Sequence, residues 1–345
     1  MDKRVIFAVA GSGKTTHILN QLSLYNRSLI ITYTTNNTKN LKDGIIKKFG
    51  YFPENITLLP YFKFLYSYCF KPFLSYKYKT KGINFKPNNN RFLKQSDSSY
   101  YIDKSNRVYS NRISKFIEKE GELSNVRARL KKYFDDIFID EIQDFAGNDF
   151  NFLRNIAKAN VNFLLVGDFH QHTFDTSRDG IVNKSLHNCY QKYRGQFEKM
   201  DFIVDTKYLD KSYRCSPSVC EFISDNLKID IKSHKSNATT VKLVDKEEAE
   251  KIFHDKAIVK LFYQEHYKYS CFSRNWGDSK GENHYKDICV VLNKKTMKAF
   301  RDQELENLAA QTKNKMYVAC SRANNNLYFV SDEHYKKHKI KATSP

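Results

Sequence analysis

Two short stretches carry side chains spaced for chemistry on a phosphate. Ala8-Val9-Ala10-Gly11-Ser12-Gly13-Lys14-Thr15 is a glycine-rich loop that follows an apolar run, Val5 to Val9, and precedes a segment expected to be helical from Lys14 to about Leu24. In such a loop the backbone N–H groups converge on an anion, and the partial positive charge of the helix N-terminus adds to the attraction. Lys14 then reaches the β- and γ-phosphates of a nucleoside triphosphate, and the Thr15 hydroxyl is a ligand for Mg²⁺. Ala10, Gly11, Ser12, Gly13, Lys14, Thr15 and Thr16 form the candidate nucleotide-binding set.

The second stretch is Asp136-Ile137-Phe138-Ile139-Asp140-Glu141-Ile142-Gln143-Asp144. It sets two adjacent carboxylates at the end of an apolar strand. In parallel α/β sheets that is the edge where ligands bind. Asp140 is suited to hold Mg²⁺, and Glu141 to orient and deprotonate an attacking water.

Elements must hold these groups in place. Short apolar runs at 29–32, 56–59, 137–140 and 163–168 read as buried strands with helical segments between them, the pattern of a parallel sheet. A second alternating block begins near Phe202, with strand candidates at 257–261, 288–292 and 327–330. Between the blocks of the first half, residues 71–119 hold 12 Lys/Arg against 3 Asp/Glu and few apolar runs, so they read as a basic insertion. The tail from Asp332 to Pro345 is polar and basic and is expected to fray.

The chain has 345 residues, enough for two domains, and 58 Lys and Arg against 38 Asp and Glu leave a net charge of +20. A surface that basic favours a polyanionic partner, most simply nucleic acid. The 23 Tyr and 26 Phe exclude a disordered chain. Seven cysteines without a CxxC pair argue against a disulfide framework or a cysteine-based zinc site and make a reducing cytoplasm the default. No apolar run is long enough to span a membrane, so no membrane partner is expected. The apolar start runs straight into the glycine-rich loop and reads as a first strand rather than a signal peptide.

Taken in order, the motifs resemble those of the UvrD/Rep-like branch of superfamily 1 helicases. The Ala-started P-loop and Asp140-Glu141-Ile142-Gln143-Asp144 are its forms of the first two. Ile31-Thr32-Tyr33-Thr34 with Leu41-Lys42 is similar to its motif Ia, and Leu164 to Gln171 to motif III. Leu209 to Arg214 resembles motif IV, Gly277-Asp278-Ser279-Lys280-Gly281 motif V, and Met316 to Ala323 motif VI. The resemblance runs from residue 8 to residue 323. It implies ATP and Mg²⁺ as ligands, catalytic roles for Glu141, Gln171, Arg214 and Arg322, and Tyr213 stacked on the adenine. It also implies contacts of Thr32, Tyr33, Phe174, Trp276 and Ser279 with single-stranded or tailed DNA.

The fold so implied is α/β, with two RecA-like parallel-sheet domains, 1–205 carrying the insertion 71–119 and 206–345, and ATP hydrolysed in the cleft between them. The activity implied is a single-stranded-DNA translocase or helicase of 3′-to-5′ direction. The alternative is a nucleic-acid-sensing ATPase switch that regulates a partner nuclease without processive unwinding. Three departures bear on these expectations. The chain begins nine residues before Ala10, so the adenine-reading glutamine segment of the family is expected to be missing, and Thr16 replaces an arginine near the base. Glu282-Asn283-His284-Tyr285 replaces the apolar-Glu-aromatic run after motif V. About sixty residues separate motifs IV and V, too few for the subdomain that large relatives insert there.

Overall fold

The computed structural model describes residues 2–88, 90, 92–177 and 179–340. By contacts the chain forms two compact units. The first holds the residues up to Phe7, Lys14–Gly167 and Phe174–Asp205. The second holds Ala8–Gly13, Asp168–Thr173 and everything from Thr206 onward.

The first unit is built on six parallel strands, β1 (Lys3–Phe7), β2 (Ser28–Thr32), β3 (Ile56–Pro60), β4 (Asp136–Ile139), β5 (Asn162–Gly167) and β6 (Ile203–Asp205). Their order across the sheet is β3-β2-β4-β5-β1-β6. Val5, Ile6, Leu29, Ile30, Ile139 and Leu165 are all buried. That is why these strands read as unbroken apolar runs, because helices cover both faces of a parallel sheet and neither face tolerates alternating polar residues. Register aligns Phe7 with Gly167 and Ile139 with Leu165. The chain therefore leaves β1, β4 and β5 at the same edge, into the glycine-rich loop, the acidic motif and the Asp168–Gln171 turn.

Two helices follow the first strands. α1 spans Lys14–Gln21, three residues short of its expected end, and α2 spans Thr35–Phe49. The Thr34 hydroxyl caps α2 by accepting from the Asn37 N–H, and Gly50, at φ 82°, ends it in the left-handed conformation that glycine adopts without strain. This cap sets Asn37, in the first turn of α2, as a buried polar residue. α3 (Gly147–Ile156) follows the acidic motif.

Residues 71–119 fold into helices Lys71–Tyr78 and Ile113–Lys119, a short turn of helix at Ser98–Tyr101, and a two-stranded parallel pair, Gly82–Asn84 with Arg107–Tyr109. Asp179 ties this region down. It accepts from the Tyr100 hydroxyl at 2.7 Å and pairs with Arg112 at 3.2 Å and Lys115 at 3.1 Å.

The second unit holds five parallel strands, β7 (Val241–Leu243), β8 (Val259–Phe262), β9 (Ser273–Asn275), β10 (Ile288–Leu292) and β11 (Leu327–Ser331), in the order β7-β11-β10-β8-β9. Alternate residues of β10 feed two cores. Ile288, Val290 and Leu292 join Val219, Trp276 and Tyr317 on one side, and Cys289 and Val291 join Ile252, Phe253 and Tyr335 on the other. α4 (Pro217–Leu227) and α5 (Ala310–Cys320) cover the first of these cores.

The tail departs from expectation in part. Asp332–Tyr335 is helical because Tyr335 is fully buried, its ring 4.9 Å from that of Phe253. Residues 341–345 of that tail lie outside the described ones. Among the described residues no helix is long and apolar enough to cross a membrane.

Candidate functional site

In the first unit the acidic motif turns sharply at the end of β4. Glu141 has φ 59° and ψ 45°, a left-handed conformation that costs a non-glycine residue energy and recurs where a side chain must be aimed. The Asp140 carboxylate accepts from the Glu141 N–H at 2.9 Å and holds that turn. Both oxygens of Glu141 are engaged. The Gln143 side-chain amide donates to Oε2 at 2.6 Å and the Asn37 amide to Oε1 at 3.2 Å. Asp140, Glu141, Gln143 and Asn37 are all buried. Two fixed amide donors keep this buried carboxylate oriented.

Gly167, at the end of the neighbouring β5, makes room for this arrangement. A Cβ there would meet Gln143 Oε1 at 2.4 Å, Ile142 Cγ2 at 2.7 Å and the Ile142 backbone nitrogen at 3.0 Å.

Lys14, Thr15 and Thr16 open α1 at the surface of the same unit, with Lys14 and Thr15 half-buried and Thr16 exposed. The oxygen donors of Thr15 and Asp140 suit a hard cation such as Mg²⁺, which takes carboxylate, hydroxyl and phosphate oxygens.

The second unit contains the start of the loop. Gly11 and Gly13 have φ of 71° and 88°. A side chain on Gly11 would also strike Arg214 Cβ at 2.7 Å and Ser212 Oγ at 2.8 Å, so glycine is required there twice over. The Ala10 N–H donates to the Tyr317 hydroxyl at 2.9 Å, and that hydroxyl donates to Asp168 Oδ2 at 2.8 Å. The Gln171 amide donates to the same oxygen at 2.8 Å. Asp168 thus joins the glycine-rich loop, the Asp168–Gln171 turn and α5.

The two arginines are pinned nearby. Arg214 Nη1 donates to the Ser321 carbonyl at 3.1 Å and Nη2 to Asn283 Oδ1. Arg322, only 2% exposed, donates from Nε to the Val318 carbonyl and from Nη1 to the Glu282 carbonyl, both at 3.2 Å. Glu282 thereby takes part through its backbone, while its carboxylate accepts from Arg274 and Tyr285. Tyr213 is 62% exposed, and one face of its ring stacks on His234 at 3.9 Å.

Of the expected strand contacts, Tyr33 and Phe174 come together, ring centroids 5.0 Å apart. They begin a row of rings, because Phe62 lies 5.7 Å from Tyr33 and Phe85 lies 5.2 Å from Phe62. Phe85 is 64% exposed. Thr32 is buried beside this row, and its hydroxyl has no hydrogen-bond partner.

Trp276 requires a correction. It is fully buried, and its indole N–H donates to the Leu261 carbonyl at 2.8 Å, so it offers no face to a base. Ser279 is equally buried, its hydroxyl committed to the Trp276 carbonyl at 2.7 Å. The apolar environment of β8 and α5 claims both, which residue type alone does not reveal.

Several groups here escaped the sequence reading. Gln143 lies inside the acidic motif and was legible there as an amide two residues from Glu141. Asn37, Tyr317, Phe62 and Phe85 carry no local signal, since long-range packing brings each to its place.

A family model described as the UvrD/REP helicase N-terminal domain matches residues 74–176. No curated protein matches the chain. Among solved structures, a PRRSV helicase shares 14% identity at a TM-score of 0.48, over 99% of this chain and 55% of that one. An arterivirus nonstructural protein 10 (helicase) in complex with DNA shares 12% identity at a TM-score of 0.48, over 97% of this chain and 62% of that one. This chain thus spans little more than half the length of either. The segment that matches the UvrD/REP helicase model carries the acidic motif and lies downstream of the glycine-rich loop, so over residues 74–176 the chain is similar to that helicase family.

Proposed function

We propose that the chain hydrolyses ATP to move 3′ to 5′ along single-stranded DNA. The observation that carries this reading is the Glu141 carboxylate, held by Gln143 and Asn37 at the edge where β1, β4 and β5 end. Glu141 orients a water for in-line attack on the γ-phosphate and takes its proton. The backbone of Ala10 to Gly13 and the Lys14 ammonium hold the phosphates. Arg214 and Arg322 neutralise the charge that develops on the transferred group, a task suited to a planar, permanently charged fork. Thr15 and Asp140 would hold a Mg²⁺, which supplies further charge neutralisation when bound. Tyr213 and Thr16 lie on the side of the base. Gln171, bonded to Asp168, links the γ-phosphate to the strand.

The strand lies on Tyr33 and Phe174, with Thr32 buried beneath it, and the row continues over Phe62 to Phe85. Bases stack on aromatic faces whatever their sequence, and the net charge of +20 supports the phosphate contacts. Steady-state ATPase assays test the hydrolytic half of the proposal. Lys14→Ala loses nucleotide affinity and turnover together, whereas Glu141→Gln binds ATP and turns over slowly. Near wild-type turnover in Glu141→Gln overturns the assignment of the base.

A further inference from the structure

The second unit carries a cluster that the nucleotide chemistry does not use. Helix Lys246–His254 places Glu250 and His254 one turn apart on the same face. The short 3₁₀ turn Lys336–His338 brings a third group to them from 88 residues away. His254 Nε2 lies 3.3 Å from Glu250 Oε1, and His338 Nε2 lies 3.1 Å from Glu250 Oε2. The three ligand atoms all fall within 4.8 Å of one another.

We propose that Glu250, His254 and His338 bind a borderline divalent metal of the Zn²⁺ class, which clasps the segment after β11 to this helix. Two imidazoles and one carboxylate are a zinc donor set. Ligands about 2.0–2.1 Å from a tetrahedral ion sit roughly 3.3 Å apart, so donor atoms that already lie within 4.8 Å of one another need only a small inward movement to share one ion. One ring is held for the purpose, because His338 stacks on Phe253 with centroids 4.0 Å apart and planes 14° from parallel. That stacking turns Nε2 toward the carboxylate. His254 is the more exposed ring and is free to adjust.

The competing occupant is Lys337, whose Nζ lies 2.8 Å from Glu250 Oε2. Displacing it is cheap, since an ion pair between a 58% exposed lysine and a 38% exposed carboxylate is worth little in water. Three protein ligands leave the fourth position to water. The donor set favours Zn²⁺, Cu²⁺ and Ni²⁺ over Mg²⁺, which prefers oxygen. The site is therefore chemically distinct from the one at Thr15 and Asp140. His254 also lines a cavity of about 650 Å³ with Lys260, Tyr269 and Cys271, so one of the three ligands borders a recess.

The test is a Zn²⁺ titration of the full chain, freed of metal and held in excess Mg²⁺, in competition with a chromophoric chelator near neutral pH. The wild type is expected to bind one Zn²⁺ more than the His254→Ala/His338→Ala double variant. Its melting temperature rises with Zn²⁺ while that of the double variant does not. Each single substitution weakens the site at least about tenfold. Co²⁺ titration gives a second readout, a tetrahedral visible spectrum present in the wild type and lost in Glu250→Gln, which preserves shape if the double variant fails to fold. Equal Zn²⁺ stoichiometry and affinity in wild type and variants, with no Co²⁺ spectrum, overturn the proposal and leave the cluster as an ion-pair clasp.

Discussion

Gln143 donates a 2.6 Å hydrogen bond to Glu141, two residues before it, and the space for that bond is left by a glycine on the next strand. The acidic motif therefore does more than supply two carboxylates, because its glutamine positions one of them. Gln143→Ala is expected to lower kcat by about ten- to a hundredfold with little change in KM, the cost of a base left to wander. Gly167→Ala acts on the same group from outside the motif, and its kcat should fall in the same direction. Steady-state ATPase measurements on both variants check this. Wild-type kcat in both removes the positioning role.

Tyr317 is the hinge pin of the second unit, accepting from Ala10 and donating to Asp168. Tyr317→Phe removes both bonds while preserving the ring. It leaves the buried Ala10 N–H without its acceptor, a loss of about 1–3 kcal/mol. The expected outcome is a lower melting temperature and weaker nucleotide binding, measured by thermal unfolding and by titration with a fluorescent ATP analogue. Unchanged values in both place the hydroxyl outside the nucleotide machinery.

Much of both sheets was legible in the sequence, and the reason is physical. A parallel strand covered on both faces is an apolar run whatever its neighbours, so β2 and β10 could be read almost residue for residue. The glycine-rich loop and the carboxylate pair are local patterns as well. Trp276 shows where that legibility ends. A tryptophan beside Gly277 and Asp278 looks like a surface ring, yet strand β8 and helix α5 enclose it, and only the tertiary fold places them there. The bond from Asn37 to Glu141 spans 104 residues and has no local trace. Tyr335 reverses the case, as one buried ring orders a tail whose composition reads as frayed.

Asp149, in the first turn of α3, is fully buried, and burial pushes its carboxyl up to about 6. The neighbouring hydroxyls of Ser114, Thr176 and Tyr61 offset part of that effect. A folded-state value raised above the unfolded one means that stability is fully present below about pH 4. It is lost as pH rises through about 6. Asp149→Asn removes the titration. Relative to wild type it should gain stability as pH rises from about 4 to 6, level off at about 3 kcal/mol above that window, and lose the advantage below about pH 4. Thermal unfolding of both proteins across this range checks the sign. A difference that does not vary with pH contradicts it.

The row from Phe174 through Tyr33 and Phe62 to Phe85 should bind more nucleotides than Tyr33 and Phe174 alone. Phe85→Ala is expected to weaken single-stranded DNA binding by about 1–3 kcal/mol, the worth of one stacked base, and to do so on long oligonucleotides more than on short ones. Fluorescence anisotropy with oligonucleotides of graded length measures this. An equal loss at every length, or none, places the strand elsewhere.

If ATP turnover serves a grip on single strands, the two must be coupled. The most direct measurement is the ATPase rate of the wild-type chain with and without saturating single-stranded DNA, repeated as salt rises. The rate is expected to be stimulated by DNA, the stimulation to fall steeply with salt as counterions compete for the basic surface, and the turnover to be lost in Glu141→Gln. A rate indifferent to DNA at low salt would contradict it.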